Sequence, residues 1–248
     1  LRRAVRGRTI ARLRAHHRAQ RRGVTPRVEA AVVGRRIVRV ERRGKHQLLH
    51  LDDGALLLVH FRMDGDWVFE RRDTLLPPHT RVTLELADGR RASLVDPRAL
   101  CTMTWHAAGA HPDLGLGPEP EDPRLSAAAL GERLAARRGP IKSVLLDQSV
   151  IAGVGNIYAA EALWHAGISP RAAAASLSPA RVERLLEGLR RALADGHVNA
   201  GRYHRGERQI PFNVSDREGE PCPRCARPIR RIAQAGRSTY FCARCQAR

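Results

Sequence analysis

Residues 140–163 read PIKSVLLDQSVIAGVGNIYAAEAL. IKSVLLDQ carries helical spacing, and its helix is expected to end near Gln148. Gly153 and Gly155 permit tight turns, after which NIYAAEALWHA resumes a helix with Asn156 in the place of an N-cap. A helix N-terminus presents unpaired backbone N–H groups to a phosphate, and Lys142 stands close in sequence to add charge. Taken alone, a glycine-rich helix-turn-helix reads equally well as a plain structural corner. The rest of the chain has to decide between the two.

Working outward, SAAALGERLAARR before this string and SPARVERLLEGLRRALADG after it are built from strong helix formers at helical spacing. Further upstream, HPDLGLGPEPEDP at 111–123 has four prolines, two glycines and no apolar period, which predicts a linker between domains. From Val28 to about Val95 the pattern changes to short β-rich runs: VVGRRIVRV, HQLLHL, ALLLVHF, RVTLEL and ASLVD. Asp53-Gly54 and Asp88-Gly89 separate such runs as hairpin turns, so an antiparallel sandwich or barrel is expected there.

From Gly219 onward the composition shifts to cysteine, arginine and glycine, in a segment too small to hold its own core. Cys222, Cys225, Cys242 and Cys245 form C-x2-C-x16-C-x2-C, a spacing that closes a tetrahedral metal site between two hairpin ends. Two disulfides or a redox pair are the alternatives. The lack of an export signal and the odd fifth cysteine, Cys101, favour one structural zinc. Four thiolates leave no open coordination position, so such an ion folds the segment and does no chemistry. The GRSTYF between the knuckles reads as a hairpin tip that presents Arg237.

Charge points to the partner. The chain has 248 residues, 44 basic against 25 acidic, for a net +19, so a polyanion is the default partner. All but two of the basic residues are arginines, and a solvated surface charge is the default reading of any one of them. A 43% hydrophobic content excludes disorder, and a 4% aromatic content is too low for a surface that stacks many bases in a row. No apolar run reaches the roughly 18 residues of a membrane helix, and the arginine-rich start is not a signal peptide. A soluble cytoplasmic protein is expected.

The string from Pro140 to Pro170, the finger from GEPCPRC to GRSTYFCARCQ, GRRIVRVERRGKHQLLHLDDG, HFRMDG, DPRALC and LGPEP together resemble the formamidopyrimidine-DNA glycosylase/endonuclease VIII family. The match covers nearly the whole chain in order. The resemblance implies an α+β protein: an N-terminal antiparallel β-sandwich at 1–112, a linker at 113–124, a helix-two-turn-helix domain at 125–218 and a zinc finger at 219–248. It also implies a bacterial, nucleoid-associated monomer that excises oxidised bases from double-stranded DNA and then cuts the abasic strand. In the family the amine of an N-terminal proline attacks deoxyribose C1′ and forms a Schiff base, the next glutamate is the acid/base, and β- and δ-elimination follow.

Residue by residue, Lys45 in RRGKHQLL matches the lysine that contacts phosphate near the lesion and donates a proton in β-elimination. Arg237 matches the finger arginine that grips the phosphates of the extruded nucleotide and serves δ-elimination. Asn156 matches a phosphate-binding asparagine, and Lys142, His79 and Arg137 are further DNA contacts. Met63 matches the residue that fills the void left by the flipped base, and Arg98 the one that pairs with the orphaned base. Leu100 stands where the family's DPRRFG motif has an aromatic wedge.

Two departures bear on activity. LRRAVRGRTI at the start resembles a segment downstream of the catalytic proline, and the proline–glutamate opening is absent from these residues. The expectation is an active enzyme whose N-terminal residues are missing from this sequence, with a noncatalytic damaged-DNA-binding paralogue as the alternative. A basic zinc-ribbon protein that binds structured RNA accounts for the charge and the finger but leaves Met63 and Arg98 unexplained. Residues 197–216, HVNAGRYHRGERQIPFNVSD, are shorter than and unlike the loop that caps 8-oxoguanine in purine-specific members. Specificity for 8-oxoguanine is therefore not implied, and oxidised pyrimidines or lesions in less structured DNA stand as alternative substrates.

Overall fold

The computed structural model describes residues 1–198 and 212–247. The chain divides into two units, Leu1–Leu114 and Gly115–Arg248. Segment 197–216, which the sequence reading linked to lesion preference, lies largely outside the described residues.

The first unit runs α1 (Arg2–Val5), β1 (Ile10–Ala15), α2 (Pro26–Val32), β2 (Ile37–Arg43), β3 (His46–Leu51), β4 (Leu56–His60), β5 (Asp66–Arg71), β6 (Thr80–Leu86), β7 (Arg90–Val95) and β8 (Thr102–His106). The strands form two antiparallel sheets, ordered β1-β6-β7-β5 and β2-β3-β4-β8. Leu13, Leu84 and Leu94 from the first sheet and Leu49, Leu57 and Met103 from the second share one core, the inner faces of a β-sandwich. Each such side chain contributes about 1.5–3 kcal/mol of burial energy, which drives the two layers together. Both predicted Asp-Gly turns form, with Gly54 and Gly89 each at φ 83°, in the left-handed region that favours glycine.

The β-rich reading that begins at Val28 is corrected here, because residues 26–32 are helix α2. Thr25 Oγ1 accepts a hydrogen bond from Val28 N at 3.3 Å, and Pro26 occupies the first turn. A capped start with a pre-set proline φ outweighs the β preference of the valines.

The second unit contains α3 (Ala127–Ala135), α4 (Ile141–Val144), α5 (Asn156–Ala166), α6 (Pro179–Val198), β9 (Arg230–Gln234) and β10 (Arg237–Phe241). Leu130, Ile141, Val154, Leu163, Leu185 and Leu189 lie in its core. At Gly188 on α6 a Cβ would sit 2.6 Å from the Ala162 carbonyl on α5, so glycine is what lets these two helices approach. The proline-rich stretch does not hang free at its middle. Gly117 N donates to Gln148 O at 2.8 Å and Ala152 N to Pro118 O at 2.9 Å, fastening it to the turns that precede α5.

Those turns correct two further expectations. Helix α4 ends at Val144 rather than near Gln148. Gln148 is used instead as a clasp, donating from Nε2 to the carbonyls of Leu146 and Val154 and accepting at Oε1 from Gly153 N. Asn156 is the first residue of α5 and not its N-cap, a position held by extended Gly155. Its amide is engaged elsewhere, as described below. Among the described residues no helix is long and apolar enough to cross a membrane.

Candidate nucleic-acid interface and metal centre

The sulfurs of Cys222, Cys225, Cys242 and Cys245 all lie within 4.8 Å of one another, and none is in a disulfide. The Cys222–Cys245 and Cys225–Cys242 separations are 3.9 and 3.5 Å. A tetrahedron with zinc–sulfur bonds of about 2.3 Å has edges of about 3.8 Å, so the four donors fit one zinc ion. Cys101, by contrast, is buried in the first unit, and its thiol is pushed up to about 12 by burial and by Asp96. It takes no part in the metal site.

The finger is seated on α5. Arg224, inside the first knuckle, donates to the carbonyls of Trp164 and His165 at the helix C-terminus, and its guanidinium stacks 3.9 Å from the Trp164 ring centroid. Gln246, after the second knuckle, donates to Ile168 O at 3.0 Å. Ala235 and Gly236, at φ 48° and 71°, make the two-residue turn between β9 and β10, and exposed Arg237 follows it.

Next to Arg237 lies a half-buried polar link. Asn156 Nδ2 donates to Ser238 O at 3.0 Å, while its Oδ1 accepts from Lys142 Nζ, which also reaches Ser238 O at 3.5 Å. Lys142 is fully buried, with two neutral oxygens as these partners. Burial and the nearby Arg237 charge push its amine down to about 8. The sequence places Lys142 beside a phosphate. The structure places it under the finger tip, where it braces Asn156 and Ser238.

In the first unit the candidate residues are joined by short contacts. Asp96, fully buried, accepts from the N–H groups of Arg98 (3.0 Å), Leu100 (2.6 Å) and Cys101 (2.7 Å) and so shapes the DPRALC turn. Burial opposes ionisation, yet the three donors prevail and hold this carboxyl below the usual carboxylate range. Asp96 N in turn donates to His79 O. Arg98 reaches the other loop, with Nη1 3.3 Å from Met63 Sδ and Nε 2.7 Å from Asp64 Oδ2. Met63 is 66% exposed and Leu100 46% exposed, so neither is core packing.

Lys45 belongs to the same group through the histidines. His46, the next residue, makes an edge-on contact with His60 at 4.6 Å between ring centroids. His60 is pushed down to about 4, by burial first and then by the charges of His46, Arg62 and Lys45. Neutral His60 accepts at Nδ1 from Arg62 N at 2.9 Å and pins the start of the Met63 loop. Arg62, His79 and Ala99 all adopt positive φ, at 65°, 61° and 55°, each adjoining or being a candidate residue. Strained backbone of this kind collects where side chains must be aimed.

Arg137, in the second unit, does not join the Asn156–Ser238 link; it is bonded to Ser149 Oγ at 3.0 Å and paired with Asp147 at 3.6 Å. Asp64, Asp96 and His60 were missed in the sequence. An acidic residue beside each motif arginine was the one available signal.

Family models match three successive stretches: the formamidopyrimidine-DNA glycosylase N-terminal domain at residues 1–103, its H2TH domain at 116–203, and the zinc finger found in FPG and IleRS at 219–248. The formamidopyrimidine-DNA glycosylase of Chloroflexus aggregans is 43% identical over 234 residues, covering 89% of this chain and 84% of that protein. The crystal structure of the MutM (Fpg) protein from Thermus thermophilus aligns with a TM-score of 0.85 at 36% identity, over 98% of this chain and 92% of that one. Lactococcus lactis formamidopyrimidine-DNA glycosylase, noncovalently bound to DNA containing an AP site, aligns with a TM-score of 0.90 at 26% identity, over 100% and 95% of the two chains. With all three parts matched in order, the chain belongs to the formamidopyrimidine-DNA glycosylase family.

Proposed function

We propose that this protein is a base-excision repair DNA glycosylase with AP lyase activity on oxidised bases in double-stranded DNA. The observation that carries the proposal is the link from Asn156 to Ser238, which holds exposed Arg237 at the tip of a finger braced by four cysteines. That arrangement supplies a phosphate clamp whose position depends on two independent elements, the α5 start and the metal site. Zinc, where bound by Cys222, Cys225, Cys242 and Cys245, supplies folding and no Lewis-acid step, because four sulfurs complete its coordination.

Each group then has a task. Arg237 and Asn156 grip the phosphates of the extruded nucleotide, and the fixed guanidinium fork suits that contact. Met63 and Leu100 occupy the space vacated in the helix, offsetting the few kcal/mol that unstacking costs. Arg98 meets the orphaned base. Lys45 contacts phosphate beside the lesion and donates the proton in elimination, while His79 and Arg137 add backbone contacts. The covalent step belongs to the family's N-terminal proline amine, through a Schiff base at C1′. We read the protein as a monomer of the bacterial cytoplasm, associated with the nucleoid that holds this substrate.

Borohydride trapping tests the proposal. Protein expressed from the full reading frame, incubated with an oxidised duplex, is expected to yield a covalent protein–DNA adduct and cut strand. A protein that binds the lesion and forms no adduct would instead be a noncatalytic damaged-DNA binder.

A further inference from the structure

We propose that Asp64 selects the base opposite the lesion, by fixing the roll of the Arg98 guanidinium. This rests on the proposed function, in which Arg98 meets the orphaned base. The guanidinium is planar, so restraining two of its nitrogens fixes its plane. Here Nε is held 2.7 Å from Asp64 Oδ2, and Nη1 stands 3.3 Å from Met63 Sδ. The terminal edge of the fork, formed by Nη1 and Nη2, is thereby aimed away from Asp64.

Both loops that carry these residues are themselves fixed. Arg62 is held in the left-handed region, with its N–H on His60 Nδ1. At Gly65 a Cβ would come within 3.1 Å of the Phe61 carbonyl, so the loop closes tightly after Asp64. On the other side, Asp96 gathers the N–H groups of Arg98, Leu100 and Cys101. The Arg98 and Asp64 side chains are 44% and 45% exposed. An ion pair this open adds little to stability; what it sets, together with the Met63 contact, is the preferred plane of the fork.

A fork locked in one plane discriminates among bases. Cytosine offers two adjacent acceptors, O2 and N3, on its pairing edge. Thymine and guanine each place an N–H donor at the central position, and adenine offers one acceptor beside a donor amine. On the pairing edge, two parallel N–H groups therefore match cytosine alone, and a bidentate match of this kind is worth about fivefold or more in discrimination. A guanidinium free to roll can present a single N–H to any acceptor and loses that distinction.

The test is equilibrium binding to duplexes that carry a tetrahydrofuran abasic analogue opposite each of the four bases, which requires no covalent chemistry. Wild type is expected to bind the cytosine-opposed duplex about fivefold or more tightly than the thymine-opposed one. Asp64→Ala should erase most of that margin while leaving zinc content and affinity for undamaged duplex unchanged, and Asp64→Glu should restore part of it. A wild type with no cytosine preference, or an Asp64→Ala variant that keeps the full margin, overturns the inference alone. A wild type that binds abasic duplex no better than undamaged duplex overturns the functional reading beneath it.

Discussion

Asn156 Nδ2 donates to the carbonyl of Ser238 at 3.0 Å, joining the first residue of α5 to the finger strand that Arg237 begins. The two residues are 82 positions apart in the chain. The asparagine and the arginine proposed to grip phosphate are thus held in one fixed relation by a backbone carbonyl, on a hairpin that the four cysteines tie down.

Arg237→Ala removes the exposed fork and leaves its support intact. Strand cleavage and affinity for abasic duplex should fall about tenfold or more, the worth of a charge-assisted hydrogen bond, with one zinc retained per chain. Cleavage assays paired with metal analysis check this. Loss of the metal would mark Arg237 as a structural residue.

Cys242→Ser acts from the opposite direction. A three-sulfur site no longer holds the hairpin ends together, so zinc should be lost and residues 219–247 should become sensitive to protease. Affinity for abasic duplex should fall at least as far as in Arg237→Ala, because Asn156 loses Ser238 as well. Chelation of the wild type should reproduce both effects, as metal content and proteolysis measured together would show.

Asp96→Asn should cost about 2–3 kcal/mol, since the amide accepts fewer of the three N–H donors and brings its own N–H groups into a buried site. The folded-state pKa of Asp96 is lowered, so its stabilisation is present above the unfolded carboxylate value near 3.8. It is lost as pH falls through the folded value below that. Denaturant titrations of both proteins from neutral to acid pH should show their difference shrinking only at the acid end.

Lys142→Met gives the reverse dependence. The folded amine titrates near 8 and the unfolded one near 10.5, so the unfolded chain binds more protons between those values and wild-type stability rises through that window. The stability of Lys142→Met relative to wild type should therefore fall as pH climbs from 8 to 10.5, read from urea midpoints. A constant difference would show that Lys142 is not held in a desolvated site.

The large features were legible because each has a local cause. Asp-Gly turns set the hairpins, the knuckle spacing set the metal site, and helix formers at helical spacing set α3, α5 and α6. Helix α2 was missed because two adjacent valines speak for strand more loudly than one capping threonine. The polar partners of Lys142 and Asn156 were not legible, for a different reason. Sequence distance showed them near a helix start, but the partner that defines them, Ser238, arrives from the finger. Asp64 was missed for the same reason, since Arg98 arrives from another loop, whereas the partners of Asp96 are local in sequence and were overlooked.

The chain has only two lysines, and folding hides one of them. Lys142 is fully enclosed, whereas Lys45 is exposed on the sandwich. An amine-directed reagent therefore meets one side-chain target in the native molecule, beside the N-terminal amine, despite 44 basic residues. A fluorophore placed at Lys45 would test the DNA contact proposed there, and the appearance of a second labelled lysine would time the opening of the helical unit.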